Sequence, residues 1–70
     1  MKTSFPRSSN IASAEYDANK SVLTIEFKNG GMYLYSGVPK TVFDGLIQAP
    51  SAGRYFASRI RDKFATTKLR

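Results

Sequence analysis

Apolar and polar residues alternate most cleanly over residues 21–28, where Leu23, Ile25 and Phe27 interleave with Thr24, Glu26 and Lys28. A period of two sets the apolar three on one face of a strand. Asn29-Gly30-Gly31 follows, and its glycines supply the positive φ angles of a hairpin turn. Residues 32–36 return as the partner strand, with Tyr33 and Tyr35 two apart. Upstream, Asn10 to Asp17 reads as a weaker strand, ended by the turn-prone Asp17-Ala18-Asn19-Lys20. Downstream the period lengthens to that of a helix. Pro39 fits a first helical turn, Val42, Phe43, Leu46 and Ile47 form one apolar face, and Pro50 stops the helix. Ser51 is a good N-cap for a second helix, and Ala52, Phe56, Ile60 and Phe64 fall at four-residue spacing along its buried stripe.

These elements predict an α+β fold: a three-stranded antiparallel meander, β-β-β-α-α in order, with two short helices packed on one face. A meander of this size is not stable in water unless a face is covered, and the helices are the available cover. Residues 1–8 contain Pro6, lack periodicity and are expected to form a loose N-terminal arm. Residues 9–64 are the expected folded domain, and residues 65–70 a basic, frayed C-terminal tail.

Composition narrows what can hold such a fold together. Seventy residues make one domain with a small core. Cysteine and histidine are both absent, which removes disulfides and the usual structural zinc ligands. Aromatic and aliphatic packing must carry the core, and 13% aromatic residues make that feasible. No stretch approaches a membrane span. The segment Met1 to Arg7 has no apolar run behind its charge, so it is not a signal peptide. A cytoplasmic protein without cofactor or metal is expected.

Charge points toward partners. The formal net charge is +6. Residues 51–70 hold Arg54, Arg59, Arg61, Lys63, Lys68 and Arg70 against Asp62 alone, six against one, or +5. The first fifty residues hold five cations against four anions, or +1. A local excess of this kind attracts anions, and nucleic acid is the commonest large one in a cell. Arg54, Arg61 and Lys68 recur every seven residues and form one line if the second helix persists to Lys68.

Several segments together are familiar. The run Phe27, Asn29-Gly30-Gly31-Met32-Tyr33-Leu34-Tyr35-Ser36-Gly37-Val38-Pro39 resembles the centre of the KTSC domain family. So do Ser9-Asn10-Ile11-Ala12 with Tyr16-Asp17, and Ser51-Ala52-Gly53-Arg54-Tyr55-Phe56 with Ile60-Arg61. The resemblance covers residues 8–64, and Tyr-x-Tyr followed by Gly-Val-Pro is its ordered signature. The family takes its name from the C-terminus of some lysyl-tRNA synthetases and includes short bacterial and phage proteins. RNA binding has been suggested for it by that association alone, and it supplies no site residue to carry over.

Two hairpin registers place the tyrosines differently. A two-residue Asn29-Gly30 loop pairs Phe27 with Met32 and turns Tyr33 and Tyr35 to the open face as a stacking platform. A three-residue loop, Lys28-Asn29-Gly30, pairs Phe27 with Gly31 and Ile25 with Tyr33 and sends both rings under the helices. One residue of slip exchanges the faces. Relatives that carry a polar residue between the tyrosines, and the need of a small domain to bury its large rings, favour the second register. Met32, Leu34 and Val22 then lie together on the uncovered face.

Catalytic chemistry has little support. Glu15, Asp17, Glu26, Asp44 and Asp62 fall on separate elements, and no His or Cys accompanies them. Gly30-Gly31 lacks the Lys-Ser/Thr and helix of a phosphate loop. Gly53, in the first turn of a helix, allows either close packing or an open anion site beside Arg54. The chain is therefore expected to be a small basic binding module with RNA or DNA as its leading partner. Phosphates would meet Arg54, Arg59, Arg61, Lys63 and Lys68, and Tyr55 would serve as a stacker. The alternative is a protein-interaction or self-associating accessory module that uses Val22, Met32 and Leu34, unless the arm with Phe5 folds over that face.

Overall fold

A computed structural model describes residues 1–70. Its elements are β1 (Lys2–Ser4), β2 (Ile11–Asp17), β3 (Val22–Phe27), β4 (Met32–Ser36), α1 (Lys40–Gln48), α2 (Ala52–Arg59) and β5 (Ala65–Lys68). The strands form one antiparallel sheet in chain order, β1-β2-β3-β4-β5. The class is α+β as expected, but the sheet has five strands, not three. The segment expected to be a loose arm contributes β1, paired Lys2 to Glu15 and Ser4 to Ser13. The segment expected to fray contributes β5, paired Tyr33 to Lys68 and Ser36 to Ala65. Backbone bonds carry that ladder on to Arg70, whose carbonyl accepts from the Met32 N–H at 3.1 Å.

The hairpin takes the three-residue loop. The Phe27 N–H donates to Gly31 O at 2.8 Å and the Gly30 N–H to Phe27 O at 3.0 Å. Gly30 has φ +97°, a left-handed conformation that glycine adopts without steric cost. Ile25 therefore faces Tyr33, and Leu23 faces Tyr35. In β2 the register shifts between Ile11 and Ser13, so Ala12 is an extra, bulged residue. Without it Ile11 and Ala14, three apart, would point to opposite faces. With it both enter the core, which explains why this strand alternates poorly in the sequence.

Both helices cover the same sheet face, and the core lies between. Leu23, Ile25, Tyr16 and Tyr35 meet Phe43 and Leu46 of α1, and Ala52, Phe56 and Ile60 from α2 and its C-cap. The Tyr16 ring stacks on Phe43 at 5.1 Å, and its hydroxyl donates to Val38 O at 2.6 Å, so a deeply buried phenol is satisfied. Phe5 and Phe64 are half-buried against this same core, so the arm does not cover the opposite face. Pro39 sits at the N-cap position of α1, just outside the first turn. Ser51 caps α2 by accepting the Arg54 N–H at 3.3 Å. No helix is long and apolar enough to cross a membrane.

Candidate nucleic-acid interface

The fold rearranges the expected basic face. α2 ends at Arg59, so Arg54, Arg61 and Lys68 do not form a helical line. Instead the chain turns over Ile60–Lys63, where the Lys63 N–H donates to Ile60 O at 3.0 Å. Asp62 takes φ 63° in that turn, a conformation that Asp tolerates better than most side chains. β5 then runs back along β4. Lys68 is opposite Tyr33 and Thr66 opposite Tyr35, so these residues share a face with the two tyrosines.

The result is a groove beside the end of α2. It encloses about 480 Å³, and its floor and walls come from Phe27, Tyr33, Tyr35, Phe56, Asn10, Asn29, Arg61, Asp62 and Thr66. Its aromatic floor is a connected edge-to-face cluster: Phe27–Phe56 at 5.4 Å, Tyr35–Phe56 at 5.6 Å and Phe27–Tyr33 at 5.6 Å. Tyr35 is only 4% exposed, whereas Tyr33 is half-exposed. The hydroxyls of Tyr33 and Tyr35 make no hydrogen bond within the chain and reach solvent. Burial, then the neighbouring Tyr33 and Asp62, push the Tyr35 hydroxyl above the ordinary tyrosine value while Arg61 pulls it down. At neutral pH it is a protonated donor.

Of the expected contact residues, Arg61 lines the groove and Lys68 stands at its β5 side. Arg54, Arg59 and Lys63 are exposed on α2 and the following turn, without an anionic partner. Tyr55, the expected stacker, is placed differently from the cations. Its ring packs on α1 against Gly45, where an added Cβ would stand 2.2 Å from the Tyr55 hydroxyl oxygen. It is half-buried and packed against the core. Arg70, counted in the basic tail, is spent on Glu26 at 3.0 Å. Gly53 admits the Asn10 side chain, with Oδ1 2.8 Å from an added Cβ, which is the close-packing role. Sequence reasoning missed the groove residues Asn10, Asn29, Asp62 and Thr66: the β2–β3 pairing and the hairpin turn bring Asn10 beside Asn29, and the unforeseen pairing of β5 with β4 brings in Thr66 and the turn that holds Asp62.

The opposite sheet face is uncovered. Leu34 and Met32 lie two apart along β4, and Val22 of β3 is diagonal to Leu34; all three are half-buried, among Thr24, Glu26 and Thr67. Glu26 accepts from both Ser13 Oγ at 3.4 Å and Arg70 Nη2 at 3.0 Å, so the patch is bordered by a polar bridge.

The pattern of the KTSC domain matches residues 7–64. A crystal structure of a KTSC domain protein from Yersinia pestis superposes with a TM-score of 0.93 at 34% identity, covering 100% of this chain and 97% of that one. A lysine–tRNA ligase of Trichormus variabilis is 41% identical over 64 residues, 91% of this chain. The matched region is 11% of that ligase, so the chain spans only a small part of its length. A protein of Tsukamurella paurometabola is 39% identical over 62 residues and is matched over 92% of its own length. The chain belongs to the KTSC domain family.

Proposed function

We propose that the domain is a non-catalytic binding module for nucleic acid, with phosphate contacts from Arg61, Lys68, Arg54, Arg59 and Lys63. The observation that carries this reading is a groove with an aromatic floor that has Arg61 in its wall and Lys68 at its β5 side, with Arg54, Arg59 and Lys63 exposed on α2 and the following turn. Cations attract the phosphate backbone, and aromatic rings offer a surface for bases. The carboxylates support a binding role over a catalytic one, because most are engaged structurally. Asp44 pairs with Lys40, Asp17 accepts turn N–H groups of Asn19 and Lys20, and Glu26 holds Ser13 and Arg70. The lysine–tRNA ligases that carry a similar region make tRNA the natural first probe. The test is charge reversal. Arg54→Glu, Arg61→Glu and Lys68→Glu together should abolish binding to tRNA in a gel-shift assay while the far-ultraviolet spectrum stays unchanged. A folded triple variant with unchanged affinity removes this face from consideration.

A second reading rests on Val22, Leu34 and Met32 of the uncovered sheet face, an apolar patch that neither helix covers. It would make the domain a protein-interaction or self-associating module.

A further inference from the structure

The groove has more chemistry than phosphate attraction requires. Its floor is aromatic, and its rim carries donors and acceptors that the fold leaves unused. The Tyr33 and Tyr35 hydroxyls are free. Asn29 and Asn10 use their side-chain oxygens locally, on the Gly31 N–H and Ser8 Oγ, and keep their amide nitrogens free. The Asp62 carboxylate stands 4.0 Å from Arg61 Nε, a long and exposed pair. A bare phosphate site has no use for an acidic rim residue, since Asp62 repels it. An exocyclic amine of adenine, cytosine or guanine does, because a carboxylate accepts from it. Lys68, opposite Tyr33 on β5, and Arg61 in the groove wall are then available to receive flanking phosphates.

Resting on the nucleic-acid reading above, we infer that this groove takes an unpaired nucleotide, its base on Tyr33 and its Watson–Crick edge toward Asp62 and the asparagine amides. The ligand class is single-stranded nucleic acid or a looped-out base. A duplex hides its base faces by stacking and its Watson–Crick edges by pairing, so it offers Tyr33 no face to stack on.

The experiment compares the full chain with Tyr33→Leu and Tyr33→Trp. Probes are a fluorescent single-stranded RNA oligonucleotide and a blunt duplex of equal length at one salt concentration. The wild-type chain should bind the single strand at least about ten-fold more tightly than the duplex. Tyr33→Leu should lose about ten-fold or more on the single strand, the range expected for one stacked base, with duplex binding unchanged. The sequence contains no tryptophan, so Tyr33→Trp supplies a single reporter. Its emission should be quenched by the single strand and not by the duplex. This second variant retains an aromatic ring and tests the groove even where Tyr33→Leu weakens the fold. Equal loss on both probes, or an unquenched Tyr33→Trp that still binds, overturns the groove and leaves the phosphate-binding reading standing. Absence of binding to either probe at low salt overturns both.

Discussion

Replacing Gly45 by alanine sets two effects of known size against each other. Gly45 lies in the middle of α1, where alanine is favoured by about 1 kcal/mol on helix propensity alone. Against this, the new Cβ would stand 2.2 Å from the Tyr55 hydroxyl oxygen, 2.7 Å from Cζ and 3.0 Å from Cε2. Comfortable carbon contacts begin near ~3.5 Å, so the whole end of the ring must move, not one atom. Overpacking of this kind costs about 1–3 kcal/mol. Gly45→Ala in the wild-type chain should therefore be destabilising by up to about 2 kcal/mol. In a Tyr55→Ala background the clash is gone, and the same substitution should stabilise by about 1 kcal/mol. The difference is a coupling of about 1–3 kcal/mol, read from a double-mutant cycle in urea followed by far-ultraviolet circular dichroism. With a slope near ~1 kcal/mol/M for a domain of this size, the coupling appears as a midpoint displacement of about 1–3 M. If Gly45→Ala stabilises equally in both backgrounds, Tyr55 is not held on α1. It would then return as a free stacker on the basic face.

Phe56→Ala should cost about 3–5 kcal/mol, since it opens a cavity and breaks the ring contacts to Phe27 and Tyr35. A domain of this length has roughly 4–10 kcal/mol in total, so the variant should be largely unfolded at 37 °C, and a wild-type melting curve would contradict its place in the core. The raised Tyr35 hydroxyl holds its proton to higher pH when folded than when unfolded. Its contribution to stability is complete below the ordinary tyrosine value near 10 and disappears as pH rises through the folded value, so Tyr35→Phe should flatten the alkaline loss of stability. Identical alkaline slopes for the two proteins would refute that origin. Leu34→Glu should leave a folded monomer by sedimentation, because its side chain lies on the uncovered face, whereas Tyr35→Glu should unfold the chain.

The elements legible in the sequence are those that bury side chains. Leu23, Ile25 and Phe27 announce β3 by strict alternation, and Phe43, Leu46, Phe56 and Ile60 mark the covered faces of the helices and the α2 cap. The hairpin register needed more than pattern, because Met32 and Leu34 are as apolar as Tyr33 and Tyr35; the family resemblance tipped it correctly. β1 and β5 were not legible. Lys2-Thr3-Ser4 is three residues long, and Ala65-Thr66-Thr67-Lys68 is exposed throughout. Edge strands of this kind are held by the backbone ladder, which leaves no hydrophobic period to read. The only trace of β5 was the β-branched pair Thr66-Thr67, which argues equally for a fraying helix. The cost was functional as well as topological, since β5 forms one side of the groove. The role of Tyr55 was readable in principle: a glycine in mid-helix, at Gly45, signals that something approaches closely.

The central claim is that Arg61 and Lys68 at the groove, with the exposed cations of α2 and the following turn, bind the nucleic-acid backbone. Its most direct test is a titration of tRNA with the wild-type chain across a series of salt concentrations. Five exposed cations, Arg54, Arg59, Arg61, Lys63 and Lys68, of which only Arg61 has an anionic neighbour, Asp62 at 4.0 Å, set an upper bound on the slope of log K against log salt of roughly −3.5 to −4.5. Affinity should fall linearly within that bound, and Arg61→Gln with Lys68→Gln should make the slope shallower by roughly 1.4–1.8. Affinity that does not change with salt, or a slope that survives the loss of both cations, would contradict the account.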